Sequence, residues 1–188
     1  MDSNINAYDG DGHVEEWEET FSDKYLEPEF RDRRPVVVET GENERDYKWN
    51  IEGELFRIGG SPSSKNGVVS LEYEKMSKWR GSHESGEFHS AADRLQVMDE
   101  EDTLISVNYP TLLLQWPIAK DPKLNQALTR AYNNWVCDIS SQAPDRLKWV
   151  TVICPSDPEE AAREMRRTKK MGSVGVMVLG EYNEKGLD

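Results

Sequence analysis

An α/β fold built on a parallel sheet is the class this sequence predicts, and three observations predict it. The apolar runs Thr103–Tyr109, Leu147–Cys154 and Val174–Leu179 are short and read as strands. Helical apolar periodicity separates them, and a further strand precedes them all. Alternation of strands with helices, where the strands are apolar on both faces, calls for parallel strands joined by right-handed crossover helices.

The first strand is expected over residues 4–13. Within it, Asn6-Ala7-Tyr8-Asp9-Gly10-Asp11-Gly12-His13-Val14-Glu15-Glu16 sets three metal-competent side chains at every second residue. An extended backbone puts Asp9, Asp11 and His13 on one face, and Gly10 and Gly12 leave the other face nearly bare. Asp-Gly-Asp-Gly is also a good turn sequence, so a turn and a ligand cluster are both readings of the pattern. An EF-hand is excluded, because counting from Asp9 puts Val14 and Thr20 where the loop needs Gly and Glu.

Residues 15–34 carry alternating charge. Trp17, Phe21 and Tyr25 recur at four-residue spacing, which predicts a short surface helix docked by an aromatic stripe. Pro35–Glu39 reads as a strand, and Asp46–Ile51 with Glu54–Ile58 as a hairpin about Glu52-Gly53. Gly59–Gly86 is rich in Gly, Ser and Lys, and its length predicts a lid or binding loop. His83 and His89, in or beside it, lack spaced partners and read as exposed loop residues.

Beyond this region Ser90, with Asp93 three residues on, caps a helix through Ala91, Leu95 and Met98. Thr103–Tyr109 is a strand stopped by Pro110. Asp121-Pro122 opens a long helix whose apolar positions are Leu124, Leu128, Ala131, Tyr132, Trp135 and Ile139. Leu147–Pro155 is the next strand, and Asp157-Pro158 starts a helix ending at Gly172, where a left-handed cap is expected. The carboxyl ends of the strands, the usual ligand side of such a sheet, fall at His13, Tyr109, Thr111, Pro155 and Gly180.

Composition narrows the partners. The 188 residues are expected to form a single domain, with strand 1 at 4–13, an insertion over 14–89 and three βα-type units over 90–180. A formal charge of −13 disfavours nucleic acid and anionic membranes, whose phosphates it would repel. Cys137 and Cys154 are isolated thiols in apolar surroundings and read as buried hydrophobes in a reducing cytoplasm. No stretch approaches a membrane span, and Met1-Asp2-Ser3-Asn4 lacks the basic and apolar regions of a signal peptide.

Six ordered pieces carry a resemblance. They are Asp9-Gly-Asp11-Gly-His13-Val-Glu-Glu16, Tyr25-Leu-x-Pro28-x-Phe30-Arg-Asp-Arg33, Asp93-Arg-Leu-x-x-Met98-Asp99, Tyr109-Pro110-Thr111, Ala131-Tyr-Asn133-x-Trp135 and Pro144-Asp-Arg-Leu147. Together, from about Asn4 to Gly180, they resemble the amidohydrolase-related metal-dependent hydrolases, in the branch that includes the aminocarboxymuconate-semialdehyde decarboxylase type. The resemblance favours the ligand reading of the opening motif over the turn. It implies a distorted (β/α)8 barrel, of which this chain carries the N-terminal half with a long insertion, helix plus hairpin, after strand 1.

It also implies one divalent metal ion, zinc first, with manganese or iron as alternatives, held in part by Asp11 and His13. Asp9 and Glu16 are then expected near the ligands, and Trp49, Tyr109, Thr111 and Trp116 along a substrate wall. One departure is Asp102-Thr103-Leu104, where relatives usually have Gly-Ile-Asp. Another is extent: a whole barrel takes ~250 residues, and the family's remaining ligands and catalytic Asp lie on later strands.

The resemblance therefore implies a complementary C-terminal half-barrel on a second chain, a small-molecule substrate, and a higher homo-oligomer of the pair. The implied activity is metal-dependent hydrolysis of an amide, ester or lactone. Nonoxidative decarboxylation of an aromatic or unsaturated acid is the first alternative, and a noncatalytic regulatory or stabilising subunit the second.

Overall fold

The computed structural model describes residues 7–39, 47–57 and 90–178, with the backbone of 181–182 and 185–186. The expected lid, with His83 and His89, lies outside the described residues.

Four parallel strands form the main sheet: β1 (Ala7–His13), β5 (Thr103–Tyr109), β6 (Leu147–Val152) and β7 (Gly175–Met177), hydrogen-bonded in that order. Helix α1 (Ala91–Glu100) precedes β5, α2 (Pro122–Ser140) joins β5 to β6, and α3 (Pro158–Lys170) joins β6 to β7. Between β1 and α1 the chain adds an antiparallel sheet of β2 (Val36–Glu39), β3 (Tyr47–Ile51) and β4 (Glu54–Arg57). Residues 181–182 and 185–186 form a further two-residue antiparallel pair, β8 and β9. The arrangement is a partial (β/α) barrel whose insertion follows strand 1.

Local chemistry explains the boundaries. Ser90 Oγ accepts the Asp93 N–H at 3.1 Å, capping the helix, and donates to Asp93 Oδ2 at 2.7 Å, so Asp93 meets the cap's hydroxyl rather than its backbone N–H. Asp121 and Asp157 cap α2 and α3 through the N–H groups of Lys123 and Glu160, each with proline at the first helical position. The β3–β4 turn places Glu52 and Gly53 at φ 53° and 83°, the left-handed pair a two-residue hairpin needs. Asp102 takes φ 54° immediately before β5; Asp tolerates that conformation through its short polar side chain.

The expected helix over 15–34 does not form. The segment instead makes two 3₁₀ turns, Glu18–Phe21 and Pro28–Arg33. Thr20 Oγ1 accepts the Trp17 N–H at 3.2 Å, and Ser22 turns extended, which ends the first turn after four residues. Tertiary packing overrides the local period here. Phe21 (0% exposed) packs edge-on to Trp49 with ring centroids 5.7 Å apart, and Leu26 enters the same core.

That core lies between the sheet and α2, where Leu124, Leu128, Ala131, Tyr132, Trp135 and Ile139 are all buried, as their spacing predicts. A polar residue ties it together. Asn133 donates to Val152 O at 2.9 Å and to Glu164 Oε1 at 2.8 Å, and accepts the Val152 N–H at 3.0 Å. Removing the amide takes this partner from the buried Val152 N–H and C=O, at about 1–3 kcal/mol each, while Glu164 Oε1 keeps Arg167 Nη2 at 2.6 Å. Asn133→Ala should therefore lower the urea-unfolding free energy by roughly 3 kcal/mol, whereas an effect below 1 kcal/mol would mean water replaces the amide.

Cys154 is buried and Cys137 half-buried, both free, and burial pushes both thiols up. No helix among the described residues is long and apolar enough to cross a membrane.

Candidate metal centre

The site starts from a strand that is only partly regular. Beside β5, β1 shifts register between Ala7 and Tyr8 and again between Asp9 and Gly12, before pairing His13 with Tyr109. Gly12 is buried, and a Cβ there would stand 2.4 Å from Ser106 Oγ and 2.6 Å from Asp9 Oδ2. Backbone and side chains thus approach as only glycine allows. Gly12→Ala should cost about 1–3 kcal/mol in thermal or urea unfolding, and a stability equal to the native chain would show that Asp9 and Ser106 simply move aside.

The irregular register has a consequence for the expected cluster. Asp9 does not stand with Asp11 and His13 on one face. Its Oδ2 lies 3.1 Å from Ser106 Oγ and 3.5 Å from Arg94 Nη2, on the side that Gly12 faces. The shift between Asp9 and Gly12 breaks the two-residue alternation on which the single-face expectation rested. Asp9 still supports the site from behind, since its Oδ1 accepts the Asp11 N–H at 3.0 Å.

Asp11 and His13 do come together. Asp11 Oδ1 lies 3.8 Å from His13 Nε2, with side chains 92% and 40% exposed. Two ligands at ~2.1 Å from one ion can stand up to ~4.2 Å apart, so the pair fits a shared divalent metal. The His13 ring is already set for that task. Its Nδ1 lies 2.8 Å from the carbonyl oxygen of Pro110, which can only accept, so Nδ1 carries a hydrogen and Nε2 is the nitrogen left to face a metal. Among the described residues no group of three or more His, Cys, Asp or Glu side chains could hold a metal.

Glu16 has a role that the motif alone leaves open. It is 2% exposed, and its carboxylate accepts the N–H groups of Thr111 at 3.1 Å, Leu112 at 2.7 Å and Leu113 at 3.3 Å. These head the 3₁₀ turn Leu112–Gln115, whose first donors have no partner within the turn. Burial raises the Glu16 carboxyl to about 7, against the pull of the backbone N–H groups that favour its charged form.

The other expected wall residues divide. The Tyr109 ring lies 6.1 Å from the His13 ring, at the mouth. Thr111 fastens the loop through Oγ1, which donates to Val14 O at 2.8 Å. Trp49 is a correction: at 1% exposed it belongs to the core against Phe21, because the antiparallel sheet carries it inward. Trp116, 7% exposed, borders a small apolar cleft with Val152, Ile153, Pro155, Met177 and Val178 at the carboxyl ends of β6 and β7. Its peptide bond to Pro117 is cis.

Three participants are not singled out as site residues by the sequence, although Arg94 and Pro110 lie within pieces of the resemblance. Arg94 and Ser106 meet Asp9 across α1 and β5, and the Pro110 carbonyl orients His13.

No family model matches the chain. A curated gamma-resorcylate decarboxylase from Polaromonas sp. is 33% identical over 91 residues, covering 46% of this chain and 27% of its own length. A solved amidohydrolase from Mycobacterium avium subsp. paratuberculosis superposes over 91% of this chain and 48% of its own, with a TM-score of 0.65 at 18% identity. A solved dihydroxybenzoic acid decarboxylase from Polaromonas sp., with bound manganese and 2-nitroresorcinol, aligns with 60% of this chain and 34% of its own at 23% identity. Its TM-score of 0.47 is too loose a superposition to place residues. The chain thus spans about half the length of the solved amidohydrolase and about a quarter of the curated decarboxylase. The sequence match likens part of this chain to a gamma-resorcylate decarboxylase, and the superposition shows that it shares the partial-barrel fold of a solved amidohydrolase.

Proposed function

We propose that this chain contributes the first strands and two metal ligands, Asp11 and His13, to a nonoxidative decarboxylase acting on a phenolic carboxylic acid of the gamma-resorcylate type. The observation that carries the metal reading is the 3.8 Å approach of Asp11 Oδ1 to His13 Nε2, with Nδ1 held by Pro110. What favours decarboxylation over hydrolysis is the 91-residue match, at 33% identity, to a gamma-resorcylate decarboxylase.

The remaining ligands and the proton donor belong to residues beyond those described, on a complementary half-barrel. Two sheet edges support this. In the described sheet the outer edges of β1 and β7 pair with no strand, and Val174, Val176 and Val178 stand 55%, 40% and 49% exposed along the β7 side. Exposed apolar strand edges are what native sheets cover.

When bound, a divalent ion supplies a Lewis-acidic centre for the substrate carboxylate and its neighbouring phenolic oxygen; zinc, manganese and iron are the ions to test. Asp11 offers a carboxylate oxygen and His13 a neutral imidazole nitrogen to hold it. The Pro110 carbonyl keeps that nitrogen free by holding the hydrogen on the opposite side of the ring. The apolar wall of Trp116, Val152 and Met177 suits the hydrocarbon part of an aromatic ring.

In the reaction the ring carbon bearing the carboxylate takes a proton, with a ring electron pair forming the C–H bond. The C–C bond then breaks, its pair returns to the ring, and carbon dioxide leaves. One proton is consumed and no oxidant is needed.

The test is to assay the chain with its completing polypeptide, gamma-resorcylate and manganese or zinc. Resorcinol and carbon dioxide in equal amounts are expected. Hydrolysis of an ester or lactone panel without decarboxylation would replace this reading by the hydrolytic one. A stable, metal-free assembly without either activity would make the chain a regulatory subunit.

A further inference from the structure

We infer that Glu16 is a positioning residue for His13, acting through the turn 109–113 rather than by touching the imidazole. The inference rests on the reading of His13 as a metal ligand. Two short segments, 13–16 and 109–113, are laced together at successive points. The Val14 N–H donates to Tyr109 O at 2.9 Å, His13 Nδ1–H to Pro110 O at 2.8 Å, and Thr111 Oγ1 to Val14 O at 2.8 Å. Glu16 then closes the lacing on the N–H groups of Thr111, Leu112 and Leu113.

The geometry gives Glu16 a particular duty. Pro110 has no N–H and a ring-locked φ, so the direction of its carbonyl is set by the peptide plane it shares with Thr111. That plane carries the Thr111 N–H, which Glu16 holds at 3.1 Å. One peptide unit therefore has its N–H fixed by Glu16 and its C=O accepting from His13. Tilting it would swing the acceptor away from Nδ1 and release the ring's tautomer and orientation. The strand ladder ends at the His13–Tyr109 pairing, so beyond it the side chains of Glu16 and Thr111 take over its alignment. A carboxylate suits the task because its two oxygens can meet three converging N–H groups.

The experiment is nitrogen-15 NMR of histidine-labelled full chain, together with its completing polypeptide, with the His13 resonances assigned by His13→Gln. The native chain should show the Nδ1–H tautomer. Glu16→Ala should shift His13 toward the Nε2–H form and weaken binding of manganese or zinc by 10- to 100-fold, the range for outer-shell partners of metal ligands. Glu16→Gln, nearly isosteric and still able to accept at one oxygen, should fall between, and it carries the test if the alanine variant does not fold. Folded variants with native tautomer and native metal affinity would overturn the inference and leave Glu16 a structural cap. If the native chain takes up no metal but its tautomer still responds to Glu16, the positioning stands and the ligand reading of His13 falls.

Discussion

Glu16→Ala is expected to lower the unfolding free energy of this chain by about 3 kcal/mol, through three buried N–H groups left without an acceptor at about 1–3 kcal/mol each. Relief from burying the carboxyl offsets part of that loss. The same burial makes native stability depend on pH. The Glu16 carboxyl titrates at about 7 in the folded chain, against an ordinary value of 4.5. Between those values the native state binds the proton more tightly than the unfolded chain does. Stability is therefore fullest below about 4.5 and falls as pH rises through about 7, by up to about 3 kcal/mol at 1.36 kcal/mol per unit. Glu16→Gln cannot titrate and should flatten that slope. Urea unfolding of both proteins from pH 4.5 to 8 is the check, and parallel curves would place the carboxyl's titration elsewhere.

His13→Ala is expected to leave the fold intact and remove the metal. The side chain is 40% exposed and its hydrogen bond is to Pro110, with Asp11 and the Tyr109 ring at longer range, so the stability change should stay near 1 kcal/mol. Metal binding is another matter, because the imidazole is one of the two donors of the proposed site. Asp11→Asn should weaken binding less than His13→Ala abolishes it, since the amide oxygen remains a donor without the charge. Metal analysis after exhaustive dialysis of the assembled protein reads both. Unchanged metal content in His13→Ala would reject the assignment.

How far the sequence reaches is visible in particular residues. The alternation of apolar strands and 3.6-period helices is a local property, and it located β5, β6, β7 and the helices α1, α2 and α3 among the described residues. Glu52-Gly53 announced its hairpin because two left-handed residues in succession are a local requirement. The proximity of Asp11 and His13 was legible for the same reason: a two-residue spacing at a strand end needs no distant information. The failures are long-range. Trp17, Phe21 and Tyr25 kept helical spacing, but the pull of Trp49 and the core on Phe21 decided the backbone. Asp9 kept strand spacing until contacts with Ser106 and Arg94, 97 and 85 positions away, turned it over. Glu16 could be recognised as an acid in a motif, while its partners at 111–113 emerge only when β1 and β5 lie side by side.

The central claim is that the β1 carboxylate and imidazole share one divalent ion. An anomalous-difference map from crystals of the assembled protein grown with manganese tests it most directly. The account predicts a single strong peak within ligand distance, roughly 2–2.3 Å, of both Asp11 Oδ1 and His13 Nε2. A peak elsewhere in the mouth, or His13 turned from Pro110 with no ion beside it, would contradict it.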